Sequence, residues 1–162
     1  MRQGVTTVMV GVDGRSPVPL RPFLTKLEAL PKSVNVGAFI GQGSIREAVI
    51  GEVDRPAATS ELDKMRALVE QDMKDGALGL SSGLFYVPGI FTPSEEVIEL
   101  AKVAGRIGGH YNSHMRDEAS RVVESVRTKP SRLVKRVAYR HRSRITRSSG
   151  RETGAAASRP SA

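Results

Sequence analysis

Three places in this 162-residue chain combine reactive side chains with backbone punctuation that would expose them. The first is Asp13, set in Gly11-Val12-Asp13-Gly14 three residues past an apolar run that ends at Val10. A carboxylate between glycines can approach a metal or a polar substrate closely; an Asx turn is the plainer alternative. The second is Ser81-Ser82-Gly83-Leu84-Phe85-Tyr86-Val87-Pro88-Gly89, long, glycine-bearing and carrying the Tyr86 phenol. It suits a substrate-facing loop, or equally a connection whose Tyr86 packs on the rim. The third is His110-Tyr111-Asn112-Ser113-His114-Met115-Arg116-Asp117-Glu118. With a period of two, His110, Asn112, His114 and Arg116 share one strand face. Polar groups on an inward face are costly unless paired or wet, so that face is expected to border a cavity. The alternative pairs His114 and Arg116 with Asp117 or Glu118. Two histidines four apart would suit a helical metal pair, but Gly108-Gly109 opposes a helix there and a third ligand is missing.

Such groups need a scaffold, and the chain alternates two periodicities. Gly4–Val10 is β-branched and apolar, which reads as a buried strand. Phe23, Leu24, Leu27 and Leu30 recur at helical spacing until Pro31. Val34–Ile40 makes a second strand, Gly41–Ser44 a turn, and Ile45–Val49 a short helix. Thr59 or Ser60 is the expected N-cap of a helix with Leu62, Met65, Leu68, Val69 and Met73 on one face, ended by Gly76. Ala77–Leu80 is strand-like. Thr92-Pro93-Ser94-Glu95 has the form of a capping box with proline in the first turn, opening a helix that buries Val97, Leu100, Ala101, Ala104 and Ile107. Gly108-Gly109 closes it, His110–Met115 is a further strand, and Ala119, Val122, Val123 and Val126 begin another helix. Strands each followed by a helix argue for an α/β fold with a parallel sheet and crossover helices. In such folds functional groups gather where the strands run out at their C-terminal ends, and all three places sit there. Pattern alone leaves a barrel and an open doubly wound sheet both possible.

Composition sets outer limits. There is no cysteine, which excludes a disulfide framework and a thiolate metal site. No apolar run approaches the roughly 20 residues that cross a bilayer, and Met1-Arg2-Gln3-Gly4 leads straight into strand-like sequence, so neither a signal peptide nor a membrane partner is expected and a cytoplasmic location is. Walker, dinucleotide-binding and Gly-x-Ser-x-Gly signatures are absent. The formal charge of +8 is unevenly held. Residues 1–126 carry 14 Lys/Arg and 16 Asp/Glu, whereas residues 127–162 carry 11 Lys/Arg and one acid, Glu152. The division reads as a slightly acidic body, 1–126, and a basic tail, 127–162, of disordered composition.

Taken in order, several stretches resemble the N-acyl-D-amino-acid deacylases (D-aminoacylases) of the amidohydrolase superfamily. They are Gln3-Gly4-Val5-Thr6-Thr7, Gly76–Leu84 with Tyr86 and Pro88-Gly89, and Ser113-His114-Met115-Arg116-Asp117-Glu118. The resemblance implies a fragment of a TIM-type (β/α) barrel, a zinc cofactor that activates water, and hydrolysis of the acyl amide bond of a small-molecule N-acyl-D-amino acid. It implies that His114 is catalytic, that Tyr86 and Arg116 bind substrate, Arg116 as a carboxylate clamp, and that Asp13 stands at a metal-ligand position where many members have cysteine. It also implies that a His-x-His pair belongs upstream of Gln3 and a catalytic aspartate beyond residue 162. A deacylase fragment inactive by itself is therefore expected.

The family's next motif would be Ser-His-His-Lys at a strand end, and Tyr139–Thr146 does not carry it. Codons for Arg127 through Ser158 can be chosen so that the frame starting at the third base of the Arg127 codon continues the helix begun at Ala119. That frame then ends the helix with two glycines, reads Ser-His-His-Lys and has no stop. A frameshift near Arg127–Thr128 would account for both the missing motif and the change of charge. The rival expectation is a non-enzymatic protein whose basic tail grips nucleic acid, a partner the deacylase reading does not need; it predicts binding that weakens steeply with salt.

Overall fold

The computed structural model describes residues 3–127; the expectations for the basic tail and its reading frame lie outside them. The elements are β1 (Thr7–Val10), α1 (Arg21–Ala29), β2 (Asn35–Ala38), β3 (Ile40–Gly41), α2 (Gln42–Ile50), α3 (Thr59–Lys74), β4 (Gly79–Gly83), a 3-10 turn (Gly89–Phe91), α4 (Ser94–Arg106), β5 (His110–His114) and α5 (Val122–Arg127). Every strand pairing is parallel, β1 with β2 and β3 with β4 with β5. Leu78 N–H donates to Ala38 O at 2.8 Å and so joins the two ladders. β2 and β3 follow end to end, one residue apart, so that β1, β2 with β3, β4 and β5 lie side by side in chain order with helix between successive members, as expected of an α/β fold built from consecutive (β/α) units. Among the described residues they form an open arc.

One face of the arc is packed by helices. Ala38, Ile40 and Leu80 meet Ile45 of α2, Met65 and Val69 of α3, and Leu100 and Ala104 of α4, all essentially buried. The helical periodicities found in the sequence mark buried faces in α3 and α4, whereas α1 buries none of its residues, Leu30 beyond it and Val123 and Val126 of α5 are exposed, and so is Ile107, at 42%. It lies one residue past the end of α4, where the helical phase no longer aims it inward.

Local chemistry moves several boundaries. The expected turn at Gly41–Ser44 is already helix from Gln42, because Ser44 N–H, one of the helix's orphan N-terminal donors, finds Gly14 O at 3.2 Å. Ala58 rather than Thr59 or Ser60 caps α3, and the Glu61 carboxylate reaches back to Ala58 N–H at 2.8 Å. With Arg55 also donating to it, the Glu61 carboxyl is held down at about 2. Thr92 does not cap α4, since its hydroxyl accepts from Gln42 Nε2 at 3.1 Å and Pro93 takes the cap position. The Ala77–Leu80 strand is displaced forward and runs through Ser81 and Ser82 to Gly83. The last helix starts at Val122, later than its apolar pattern, because Asp117 Oδ1 accepts Ala119 N–H at 2.8 Å and Arg121 N–H at 3.2 Å in a turn. No described helix is long and apolar enough to cross a membrane.

Three buried ionisable side chains, Arg46, Glu96 and Asp72, organise the helix layer. Arg46 of α2 is fully buried and its Nη1 donates to both Glu96 oxygens of α4, at 2.9 and 2.8 Å. Its other arm donates to the carbonyls of Val53 and Arg55, and Glu96 also accepts Ala57 N–H at 3.3 Å. Removing one partner leaves an uncompensated buried charge. Glu96→Ala is expected to cost about 3–5 kcal/mol in urea unfolding, and Arg46→Met with Glu96→Leu far less.

Asp72 of α3 is also buried; Oδ1 accepts Leu20 N–H at the start of α1 at 2.9 Å, and Oδ2 has no partner. Burial pushes this carboxyl above its ordinary range, against the Leu20 hydrogen bond. A raised carboxyl pKa means that the stability Asp72 contributes is fullest below about pH 3.9, its ordinary value, and is lost as pH rises through the folded-state value. Asp72→Asn retains the acceptor for Leu20. Its stability relative to wild type is expected to rise across that window, read from denaturation midpoints at a series of pH values.

Candidate functional site

The site forms where the 11–16 loop after β1 crosses the ends of β3 and β4. Ser81 lies at the crossing: its hydroxyl accepts Gly14 N–H at 3.1 Å and donates to Gly11 O. Ser16 Oγ accepts Gly41 N–H at 2.9 Å, and Ser44 Oγ accepts Ser16 N–H at 3.0 Å, which fastens the loop to the start of α2. The backbones come so close that side chains are excluded. A Cβ on Gly83 would collide with the carbonyl of Asp13, and one on Gly14, whose φ is +78°, with the backbone of Ser82 and Gly83. Asp13 is thereby held against the end of β4 with its side chain exposed.

After Gly83 the chain turns tightly, Tyr86 N–H donating to Gly83 O at 3.1 Å. The turn presents Tyr86 to His114 at the end of β5, opposite Gly83 in register. Tyr86 Oη lies 3.2 Å from His114 Nε2, their ring centroids are 5.0 Å apart, and Phe85 stacks edge-on against Tyr86 at 5.5 Å. His114 Nδ1 is 3.1 Å from the carbonyl of Met115. A carbonyl only accepts, so this contact favours the tautomer with its proton on Nδ1, in which Nε2 accepts from the Tyr86 hydroxyl. Glu118 Oε1 stands 3.3 Å from the same Nε2; a carboxylate too only accepts, so this contact favours a proton on Nε2 and competes with the Tyr86 hydrogen bond.

The expected face of four polar residues is realised for three. His110 and Asn112 are exposed, and both alternate with Tyr111 and Ser113 on the same side as His114. Arg116 departs from it because β5 ends two residues earlier. Its guanidinium donates instead to Ile90 O at 3.0 Å and Thr92 O at 2.8 Å, and burial lowers its pKa. The structure therefore brings Tyr86 and His114 together at the ends of β4 and β5, sets the backbone of Asp13 beside Gly83 with its side chain exposed, and employs Arg116 in holding the 3-10 turn. Sequence reasoning passed over Ser81 as part of a loop. The available signal was two adjacent serines directly after an apolar run, the position where a strand end faces its neighbours.

Zinc requires about four ligands. No group of three or more His, Cys, Asp or Glu side chains converges among the described residues. Asp13 and His114 do not by themselves fit that ion.

This parallel (β/α) portion, with histidine, tyrosine and carboxylate at its strand ends, is of the kind found in amidohydrolases, and comparison with known proteins is specific. The chain is 34% identical to D-aminoacylase and 33% identical to N-acyl-D-aspartate deacylase, both from Alcaligenes xylosoxydans xylosoxydans, each match covering 76% of this chain and 30% of the relative. A solved D-aminoacylase with a binuclear metal center superposes with a TM-score of 0.75 at 31% identity, covering 85% of this chain and 33% of that one. N-acyl-D-glutamate deacylase from Bordetella bronchiseptica, complexed with zinc and a phosphonate inhibitor that mimics the tetrahedral intermediate, superposes with a TM-score of 0.68 at 28% identity, covering 76% of this chain and 31% of that one. No protein-family model matches. The chain is thus a relative of the N-acyl-D-amino-acid deacylases, metal-dependent amidohydrolases, and spans about 30% of the length of the curated relatives it matches.

The crossing of the loop gives a direct test. Gly83→Ala is expected to expel the Asp13 carbonyl and separate Tyr86 from His114, with a stability loss of about 1–3 kcal/mol. Loss of the Tyr86–His114 nuclear Overhauser contacts, alongside the unfolding curve, is the measurement.

Proposed function

We propose that this chain carries part of the active site of an N-acyl-D-amino-acid deacylase, which hydrolyses the acyl amide bond to a carboxylate and a free D-amino acid. The observation that carries the reading is the Tyr86–His114 pair at the strand ends of a segment 31% identical to D-aminoacylase along 85% of the chain. In this reading His114 Nε2, its tautomer favoured through Met115, is the proton-accepting group beside the scissile amide. Tyr86 donates its phenol proton to a substrate oxygen when substrate displaces it from His114. Arg116 contributes from one side, its carbonyl partners keeping the Gly89–Thr92 backbone in place beneath the Phe85–Val87 loop. Asp13 supplies a carboxylate near the metal position of the relatives. Because the described residues do not complete a zinc site, we take the chain by itself to be without deacylase turnover.

Two assays test this. The purified chain, given zinc and a panel of N-acetyl-D-amino acids, is expected to turn over less than about 1% as fast as a full-length D-aminoacylase, since the described residues do not complete a site for the ion that would activate the water. Turnover within about 100-fold that disappears in His114→Ala would overturn the inactivity. Residues 3–126, grafted in place of the matching segment of a D-aminoacylase, are expected to sustain hydrolysis. In that chimera His114→Ala should lower kcat by about 10²–10⁴; an unaffected kcat would remove His114 from the chemistry.

A further inference from the structure

The helix-facing side of β4 and β5 carries hydroxyls that the deacylase reading leaves unused. The register sets Leu80 beside Tyr111 and Ser82 beside Ser113. Tyr111 Oη lies 2.6 Å from Ser82 Oγ, Ser82 Oγ donates to Ser113 Oγ at 2.8 Å, and Ser113 Oγ donates to the carbonyl of His114 at 2.8 Å. A serine hydroxyl has one proton. That of Ser82 goes to Ser113, so Ser82 accepts from Tyr111, and the series runs in one direction from the phenol to His114. Burial raises the Tyr111 pKa and keeps the phenol a donor. Ser82 is fully buried, and Tyr111 packs against the core.

The series ends at the last registered pair of the β4–β5 ladder, Gly83 with His114. Beyond that point the contact of His114 Nδ1 with the carbonyl of Met115, the next one along the chain, favours the Nδ1–H tautomer. We propose that Tyr111, Ser82 and Ser113 are positioning residues for His114: by fixing the His114 carbonyl they set the backbone on which the Met115 carbonyl holds the Nδ1 proton, and so favour Nε2 as the acceptor of the Tyr86 hydroxyl over its alternative as donor to the Glu118 carboxylate. The proposal rests on the reading of His114 as the reactive side chain. It assigns the hydroxyls a purpose beyond satisfying one another, because only an ordered series ending at His114 makes the ring's tautomer depend on a phenol on the opposite face of the sheet.

The experiment is nitrogen NMR of the imidazoles in the ¹⁵N-labelled full chain, with His114 signals identified by their loss in His114→Gln. Wild type is expected to show the Nδ1–H tautomer dominant. Tyr111→Phe and Ser113→Ala, each removing one hydroxyl, are expected to shift the ratio toward Nε2–H by about fivefold, the weight of one hydrogen bond. Ser113→Thr, which keeps the hydroxyl, should restore it, with α3 and α4 amide signals unmoved throughout. Unchanged His114 signals in folded Tyr111→Phe and Ser113→Ala would overturn the proposal. So would a shift that Ser113→Thr fails to reverse, or a collapse of the whole spectrum in both hydroxyl deletions, which would assign the hydroxyls to stability alone. A chimera without hydrolysis would sink the proposed function and leave the tautomer result standing.

Discussion

The passage of the 11–16 loop across the ends of β3 and β4 is the constraint on which the site depends. Three backbones meet there within contact distance, and only residues without a Cβ fit at Gly14, Gly41 and Gly83. Close approach alone would leave buried amides and carbonyls unpaired, at a cost comparable to a lost hydrogen bond each. Ser81 removes that penalty by serving Gly14 N–H and Gly11 O at once, and Ser16 and Ser44 do the same for the neighbouring backbone. Everything at the strand ends follows from this crossing. It holds Asp13 beside β4, starts α2 a turn earlier than its apolar pattern, and leaves the chain after Gly83 nowhere to go except the tight turn that carries Tyr86 to His114.

The helix layer supports the crossing through charge. The buried Arg46–Glu96 pair joins α2 to α4 and gathers the carbonyls of Val53 and Arg55 between them. Beside it Gln42 reaches Thr92, whose carbonyl is in turn held by Arg116. A continuous polar seam therefore runs from the start of α2 to the residues just past β5. It lies beneath a surface loop bearing Phe85, Tyr86, Val87 and Ile90, each 42–52% exposed. An apolar loop of this kind keeps its shape only when the backbone below it has no freedom, which is what the seam provides.

The two faces of the arc differ in a way that bears on chemistry. Parallel sheets are ordinarily covered on both sides. Here the helices cover the face of Leu80, Ser82, Tyr111 and Ser113, while His110, Asn112 and Met9 lie on exposed surface. The described residues place a histidine, a phenol and a carboxylate at one end of such a sheet, yet no three metal-ligating side chains converge there. The match to about 30% of the length of the deacylases agrees with that physical picture: a well-packed set of (β/α) units bearing some of the groups that such a site requires.

The sequence by itself determined the alternation of strand and helix, the parallel class, the buried faces of α3 and α4 and the positions of Asp13, Tyr86 and His114 at strand ends, because periodicity and glycine or proline punctuation are local signals; it did not foresee that β1, apolar and read as buried, is largely exposed. The motif resemblance was legible for the same reason, as short strings in fixed order. Tertiary structure alone decided what those residues touch. Thr92 reads as a helix cap until Gln42, fifty residues away, claims its hydroxyl. Arg116 reads as part of a strand face until the strand stops at His114 and the carbonyls of Ile90 and Thr92 accept its guanidinium. Ser81 and Ser82 read as loop because their hydroxyls look solvent-seeking, and they are buried because partners on the 11–16 loop and on β5 satisfy them. A hydrogen bond between distant segments has no periodicity in the chain, so its outcome is fixed only when the fold brings donor and acceptor together.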